Sequence, residues 1–270
     1  MKLFNALTPV YRDVRIEDLD HFIVPVKRIT SQNTIQGRIL YLHGGAYVLG
    51  MTNNHINLCG KIARKAGHDI IAPHYHLAPE YPFPNALQDV ISIYTKLIDQ
   101  DPKLRPFFIG GDSAGGGLAL ALLQEIHAKD YPMPDGVFLF SPWTDLTLSG
   151  NSVREMAKVD PVLSSRGLRE DANAYARGHD LRSPLISPLF APVMGFPPIL
   201  IQVGSHEILL DDARSFAKKA RTKGVDVTLS EWDGLFHVFQ MFPILRVADE
   251  AINEVAVFIS KHQESRAYEK

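Results

Sequence analysis

A serine between two glycines constrains this chain more than any other sequence feature. Residues Gly111 to Gly115 read G-x-S-x-G between an apolar run at 107–109 and a helical run at 118–123. A strand that turns sharply into a helix strains its serine, and the flanking glycines let the two backbones approach. The helix start also brings backbone N–H groups to the serine oxygen. The turn therefore predicts a nucleophilic Ser113, although a glycine-rich turn without chemistry has the same pattern.

Composition narrows the class of protein. The chain has 270 residues, 46% of them hydrophobic and 21% charged, which suits one large globular domain. The net charge is −2 with no basic block, so we expect no nucleic acid as a partner. The one cysteine, Cys59, excludes an intrachain disulfide and is expected to be a buried structural thiol. No apolar stretch approaches about 18 residues, which predicts no stable membrane insertion and a cytoplasmic protein.

Strands and helices are predicted to alternate along most of the chain. Strands are expected near 12–19, 22–29, 39–42, 69–73, 107–109, 137–140, 199–203 and 225–232. Helices are expected near 54–66, 85–98, 118–123, 211–223 and 244–262, and the polar residues 263–270 are expected to fray. The continuous apolar strands indicate an α/β fold, with a mostly parallel sheet of about eight strands covered by helices on both faces. Pro25 favours an edge position for the second strand.

One connection is too long for a simple link between strand and strand. It runs from 141 to 197 inclusive, which is 57 residues. Connections of this length usually carry structure of their own, so helices are expected inside it.

Four loops that follow predicted strands carry polar side chains. In a parallel sheet, functional residues lie at the carboxyl ends of the strands. In chain order these loops contain the run His43-Gly44-Gly45, then Ser113, Glu207 and His237. This is the order of oxyanion loop, nucleophile, acid and histidine that α/β-hydrolases have.

Ser113 and His237 are the predicted nucleophile and general base. A serine hydroxyl becomes a useful nucleophile when a neighbouring base takes its proton. Among the 11 histidines, His237 alone follows a glycine-containing loop after the last predicted strand. The alternative is a packed core histidine. His43 is expected to hydrogen-bond within its own loop.

Two carboxylates compete for the role of triad acid. Glu207 is the first after the strand that ends near Val203, whereas Asp211 lies where the next helix is expected to have begun. Position therefore favours Glu207, which would orient the imidazole of His237. Asp112, next to the nucleophile, points away from the histidine and is expected to be structural.

Three backbone N–H groups are the predicted oxyanion hole. Gly44 and Gly45 can approach a carbonyl oxygen closely because they have no side chain, and Ala114 follows the nucleophile. Such donors are worth about 2.7–4 kcal/mol each in the transition state. This chemistry requires no metal and no organic cofactor.

Several motifs together resemble the hormone-sensitive-lipase-like branch of the α/β-hydrolases, the bacterial carboxylesterase/lipase group. The matching stretches are HGGAY at 43–47, YHLAPE at 75–80, PFP at 82–84, GDSAGG at 111–116, SPW at 141–143, DP at 160–161, SPL at 187–189 and FH at 236–237. The resemblance implies one α/β-hydrolase domain over 1–270, with a small helical cap from about 145–190 and a short contribution from 1–11. It also implies a carboxylic ester hydrolase for short- to medium-chain acyl groups. Residues 204–212 are similar to a subgroup that includes monoterpene ε-lactone hydrolases.

The chain departs from the family pattern at three places. Glu207 stands where Asp is commoner, so the resemblance leaves Asp211 open, and Ala46 stands where Gly is commoner. Only about 11 residues precede the first predicted strand, where relatives usually have a longer cap segment. We therefore expect a comparatively open pocket, or one that a neighbouring subunit closes. A homodimer is expected by analogy with the family.

Aromatic and apolar residues near these loops are candidates for the pocket wall, with core packing as the alternative for each aromatic. They are Tyr47, Trp143, Leu235, Phe236 and Phe239.

Two other functions stay open in the same fold. One is a small-molecule receptor of the gibberellin-receptor type, which has lost the catalytic histidine, and His237 argues against it. The other is amide or thioester cleavage by the same three side chains.

Overall fold

An eight-stranded sheet runs through the computed structural model, which describes residues 14–32, 37–101 and 106–264. The strands are β1 (Val14–Leu19), β2 (Val26–Ser31), β3 (Arg38–Leu42), β4 (Asp69–Pro73), β5 (Phe107–Asp112), β6 (Gly136–Phe140), β7 (Ile199–Gly204) and β8 (Val227–Trp232). Their order in the sheet is β1-β2-β4-β3-β5-β6-β7-β8. The β1–β2 and β2–β4 pairs are antiparallel and the other five are parallel, which confirms the predicted mostly parallel sheet.

Helices cover both faces of the sheet. Within the described residues they are α1 (Asn53–Ala66), α2 (Asn85–Gln100), α3 (Ala114–Ala128), α4 (Ser152–Glu155), α5 (Ser165–Ala176), α6 (Leu210–Thr222) and α7 (Arg246–Glu264). Apolar residues of α2, α3 and α6 form the core on one face, and those of α1 and α7 form the core on the other. Burial on both faces explains why the central strands are continuous apolar runs.

The ends of α1 show how local sequence sets a boundary. Thr52 precedes the helix with an extended backbone, and its N–H donates to His55 Nδ1 at 3.0 Å. Gly67 ends the helix in the left-handed conformation, with φ of 69°, and its N–H donates to the Ala63 carbonyl. A glycine adopts this conformation without steric cost, so the predicted end near Gly67 is confirmed.

The predicted edge position for the strand around Pro25 is wrong, because β2 lies between β1 and β4. The ladder of β2 begins at Val26, which is paired with both Leu19 and Pro73. Pro25 precedes this ladder, so its missing N–H removes no ladder hydrogen bond. Its carbonyl accepts a hydrogen bond from His74 N at 2.9 Å.

Other predicted boundaries differ from the observed ones by a few residues. The second strand, predicted over 22–29, is observed at Val26–Ser31, and the last strand begins at Val227 rather than 225. Residues 263 and 264 are the last two residues of α7, which the sequence had placed beyond the helix. The predicted strand residues 12–13, the cap contribution of 1–11 and residues 265–270 lie outside the described residues.

The connection from β6 to β7 contains α4, α5 and a 3-10 turn at Pro188–Phe190, so the predicted internal helices are confirmed. Asp212 holds the start of this insertion: its Oδ2 accepts hydrogen bonds from Thr144 N and Asp145 N, both at 2.7 Å. Burial raises the pKa of Asp212 well above its ordinary value. Further along, Asp160 Oδ2 accepts from Ile208 N at 2.8 Å. The insertion is thus tied to the segment around the start of α6.

No helix in the described part of the chain is long and apolar enough to cross a membrane.

Replacing Gly115 with alanine tests the close approach of α3 to β3. A Cβ at Gly115 would lie 2.0 Å from the Leu42 carbonyl oxygen and 2.5 Å from that of His43. Backbone cannot yield as a side chain can, so we expect Gly115→Ala to lower the free energy of unfolding by about 3 kcal/mol in urea denaturation.

Gly50→Ala is the matched control. Its added Cβ would meet Leu77 Cδ1 at 3.7 Å, an ordinary contact, so a change within about 0.5 kcal/mol is expected. Equal stability losses in the Gly115 and Gly50 variants would contradict the account.

Candidate active site

Ser113 occupies a strained turn between β5 and α3. Its φ of 53° and ψ of −122° are unusual for a residue with a side chain. The turn is fixed by its backbone, because Ser113 N donates to the Phe140 carbonyl and its own carbonyl accepts from Trp143 N, both at 2.9 Å. The residue is 6% exposed. Among the described residues, no group, His237 included, forms a hydrogen bond with the Ser113 hydroxyl.

Glu207 and His237 meet at the carboxyl edge of the sheet. His237 Nδ1 lies 2.7 Å from Glu207 Oε2, and both side chains are buried. The other carboxylate oxygen, Oε1, accepts from Gly204 N at 2.7 Å and from Ser141 Oγ at 2.8 Å. The loops after β6, β7 and β8 therefore converge here, beside the end of β5 that carries the serine.

The competing carboxylate, Asp211, makes different contacts. Its Oδ2 accepts from Ser152 N at 2.9 Å, and Asp211 N receives a hydrogen bond from Ser152 Oγ at 3.0 Å. These bonds join α6 to α4. Asp211 thus serves to anchor the insertion, while Glu207 contacts the histidine.

Three backbone N–H groups surround the serine without internal partners. The N–H groups of Gly44, Gly45 and Ala114 donate to no other group in the part of the chain that the structure describes. A Cβ at Gly44 would lie 3.0 Å from the Ser113 Cβ, which shows how closely this loop approaches the serine. Gly45 has φ of 123°, a conformation that favours glycine. Unpaired donors near a serine are the arrangement that binding of an oxyanion would require.

His43 is buried beneath this loop and confirms its predicted contact. Its Nδ1 lies 2.7 Å from the Gly44 carbonyl oxygen, and its ring stacks on Tyr75 with centroids 4.3 Å apart. Tyr75 also donates its hydroxyl hydrogen to the His43 carbonyl. Burial, followed by the nearby His55, lowers the pKa of His43 from 6.5 to about 3. The imidazole is therefore neutral at ordinary pH.

Asp112 is a structural residue, as expected. Its Oδ1 accepts from Tyr41 OH at 2.8 Å, and its Oδ2 lies 3.6 Å from His55 Nε2. Burial acts to raise the pKa of Asp112, but His55 and Tyr41 together hold it below its ordinary value. Sequence reasoning missed both of these partners, since Tyr41 is 71 positions away and no local pattern links the two.

Cys59 is fully buried, as predicted.

The predicted pocket residues fall into two groups. Trp143 and Phe239 are fully buried, so core packing rather than a pocket wall describes both. Tyr47 is 2% exposed and stacks on Tyr175 of α5, with ring centroids 3.7 Å apart. Leu235 and Phe236 are only partly buried, and a pocket-wall role for them stays a prediction.

A cavity of about 420 Å³ opens beside the oxyanion loop. Its walls include His43, Gly50 and Tyr75, but not Ser113, Glu207 or His237.

In the described ranges, no group of three or more side chains is arranged to hold a metal ion.

Comparison with known proteins places this arrangement in a family. A family model for the alpha/beta hydrolase fold matches residues 39–241. The chain belongs to this α/β-hydrolase family. Among solved structures, this α/β hydrolase is similar to a hormone-sensitive lipase from a metagenome library, at 35% identity and a TM-score of 0.93, over 97% of this chain and 90% of that one.

Two curated bacterial relatives point to the reaction. The hydrolase is 39% identical over 222 residues to an acetyl-hydrolase of Streptomyces hygroscopicus, which covers 82% of this chain and 74% of the relative. It is 37% identical over 235 residues to an esterase of Acinetobacter venetianus, over 86% and 77% of the two chains. These likenesses confirm the hormone-sensitive-lipase-like assignment and the prediction of a carboxylesterase. The likeness to lactone hydrolases stays a prediction.

Removing the buried His43 imidazole should make the free energy of unfolding fall less steeply as the pH is lowered. The folded protein keeps His43 neutral down to about pH 3, whereas the unfolded chain protonates it near 6.5. Stability therefore falls as the pH is lowered through this window, by about 1.4 kcal/mol per unit. Between pH 6.5 and about pH 4.5, we expect His43→Gln to lose about 2 to 3 kcal/mol less unfolding free energy than the parent protein.

The control is His206→Gln, because His206 is exposed. Urea unfolding at the two pH values should show the parent's pH dependence in this control. The same dependence in His43→Gln would mean that the imidazole is not held neutral by the fold.

Proposed function

We propose that this carboxylesterase hydrolyses short-chain acyl esters with Ser113 as nucleophile, His237 as base and Glu207 as acid. The observation that carries the proposal is the 2.7 Å contact between His237 Nδ1 and Glu207 Oε2 beside a strained serine. A buried carboxylate that holds Nδ1–H leaves Nε2 as the proton acceptor. No other carboxylate of the described residues has a hydrogen bond to His237.

The reaction proceeds in two halves. Ser113 Oγ attacks the ester carbonyl carbon while His237 Nε2 takes its proton, and the carbonyl oxygen becomes an oxyanion bound by the N–H groups of Gly44, Gly45 and Ala114. The ester C–O bond then breaks, and the imidazolium returns its proton to the departing alcohol. Water, deprotonated by His237, attacks the acyl-enzyme, and the carboxylic acid leaves with Ser113 restored.

A short-chain acyl group is supported by a relative that is named an acetyl-hydrolase. The insertion residues 145–190 act as the cap, and Tyr175 of α5 joins it to the oxyanion loop by stacking on Tyr47. We propose a single domain with this cap, a comparatively open pocket, a homodimer and a cytoplasmic location.

A p-nitrophenyl ester series on three variants tests the triad. Ser113→Ala should lose activity by about 10⁴-fold or more, because no other hydroxyl replaces the nucleophile. Glu207→Gln should lower kcat by about 10²- to 10⁴-fold. Asp211→Asn is the matched control, and it should stay within about threefold of the parent because its carboxylate contacts Ser152 rather than the histidine. Activity that survives in Ser113→Ala would refute the proposal, and loss in Asp211→Asn with activity kept in Glu207→Gln would move the acid to Asp211.

The same series tests the substrate class. Acetate and butyrate esters should give the highest kcat/KM, with octanoate and laurate esters lower, as the likeness to an acetyl-hydrolase suggests. A maximum at laurate would contradict the short-chain preference. Faster turnover of an ε-lactone than of any ester in the series would favour the lactone alternative.

A further inference from the structure

Ser141 has a conformation that a serine rarely adopts. It follows the last residue of β6, is fully buried and has φ of 46°, in the left-handed region that favours glycine. Its N–H donates to the Gln202 carbonyl of β7 at 2.7 Å, which fixes the backbone. A strained backbone at a buried polar residue persists only where the surroundings hold it, so the contacts of the side chain are expected to explain it.

The Ser141 hydroxyl joins the two loops that supply the acid and the histidine. It donates to Glu207 Oε1 at 2.8 Å and accepts from Val238 N at 3.1 Å. Val238 directly follows His237, and it too has a left-handed backbone with φ of 50°. One hydroxyl therefore hydrogen-bonds Glu207 itself, 66 positions away in the chain, and the residue that follows His237, 97 positions away.

We infer that Ser141 is a positioning residue that aligns the Glu207 carboxylate and the His237 loop for proton transfer. The inference rests on the proposed triad. Without the hydroxyl, Oε1 keeps the Gly204 N–H but loses its second donor among the described residues, so the carboxylate is held less firmly. The N–H of Val238 would also lose its acceptor, which frees the backbone that carries His237. A histidine displaced by even a fraction of an ångström slows proton transfer much more than it weakens substrate binding.

A role in folding alone makes a different prediction, and Ser187 provides the comparison. Ser187 is also fully buried, and its Oγ accepts from Leu146 N at 2.8 Å within the insertion. It contacts neither the acid nor the histidine loop. Removing its hydroxyl takes away a buried hydrogen bond from a backbone N–H, as removing the Ser141 hydroxyl does, without touching the proposed triad.

The experiment measures kcat and KM for p-nitrophenyl butyrate in Ser141→Ala, Ser141→Gly and Ser187→Ala. Both Ser141 variants should lower kcat by about 10- to 100-fold with KM within about threefold, because the loss falls on the transition state. Glycine relieves the left-handed backbone whereas alanine does not, so similar kcat values in the two variants assign the effect to the hydroxyl. Ser187→Ala should keep the parent's kcat. Thermal unfolding followed by circular dichroism identifies the folded variants, and the glycine variant keeps the test usable if the alanine variant does not fold.

Three outcomes would overturn the inference. They are an unchanged kcat in the Ser141 variants, a kcat restored to the parent value in Ser141→Gly alone, and an equal kcat loss in Ser187→Ala. Ser113→Ala, measured alongside, separates this failure from failure of the proposed function. If Ser113→Ala is inactive and the Ser141 variants match the parent, only the positioning role is wrong. If Ser113→Ala is active, the triad itself is wrong.

Discussion

The close approach of α3 to β3 is the constraint on which the site depends. Gly115 leaves no room for a side chain against the Leu42 carbonyl, and Ser113 is the single residue between β5 and α3. That turn places the serine at the carboxyl edge of a central strand and directs the first N–H of α3 toward it. The same approach brings the loop after β3, with Gly44, against the serine. One packing contact thus positions both the proposed nucleophile and the N–H groups proposed to bind the oxyanion.

Buried hydrogen bonds hold the rest of the site in place. Asp112 joins the turn at Ser113 to Tyr41 of β3, Ser141 joins the end of β6 to Glu207, and Asp212 joins the start of the insertion to α6. Each bond joins elements that are far apart in the chain, and each lies in the interior, where an unmade bond is expensive. Side chains below the proposed site are thus held by buried hydrogen bonds, which suits a reaction that depends on preorganised donors.

The sequence predicted the parts of the site that local patterns encode. Glycines around Ser113 and polar residues after apolar strands located the elbow, Glu207 and His237, because strand ends in a parallel sheet meet at one edge. Long-range pairings had no such signal: Ser141 and its carboxylate partner are 66 positions apart, and the burial of Trp143 depends on packing. The edge position predicted from Pro25 was wrong because a proline just before a strand gives the same sequence pattern as a proline within an edge strand. The period and spacing of apolar residues predict the order and type of the strands and helices, whereas the partners of a side chain depend on the assembled fold.

Covalent labelling by a fluorophosphonate tests the central claim most directly, since such a reagent reacts with a serine only where a base and an oxyanion hole activate it. Intact-mass spectrometry followed by peptide mapping would locate the adduct. The account predicts one adduct per chain, on Ser113, formed much more slowly in Glu207→Gln and at the parent rate in Asp211→Asn. An adduct on another residue, or labelling that does not depend on Glu207, would contradict it.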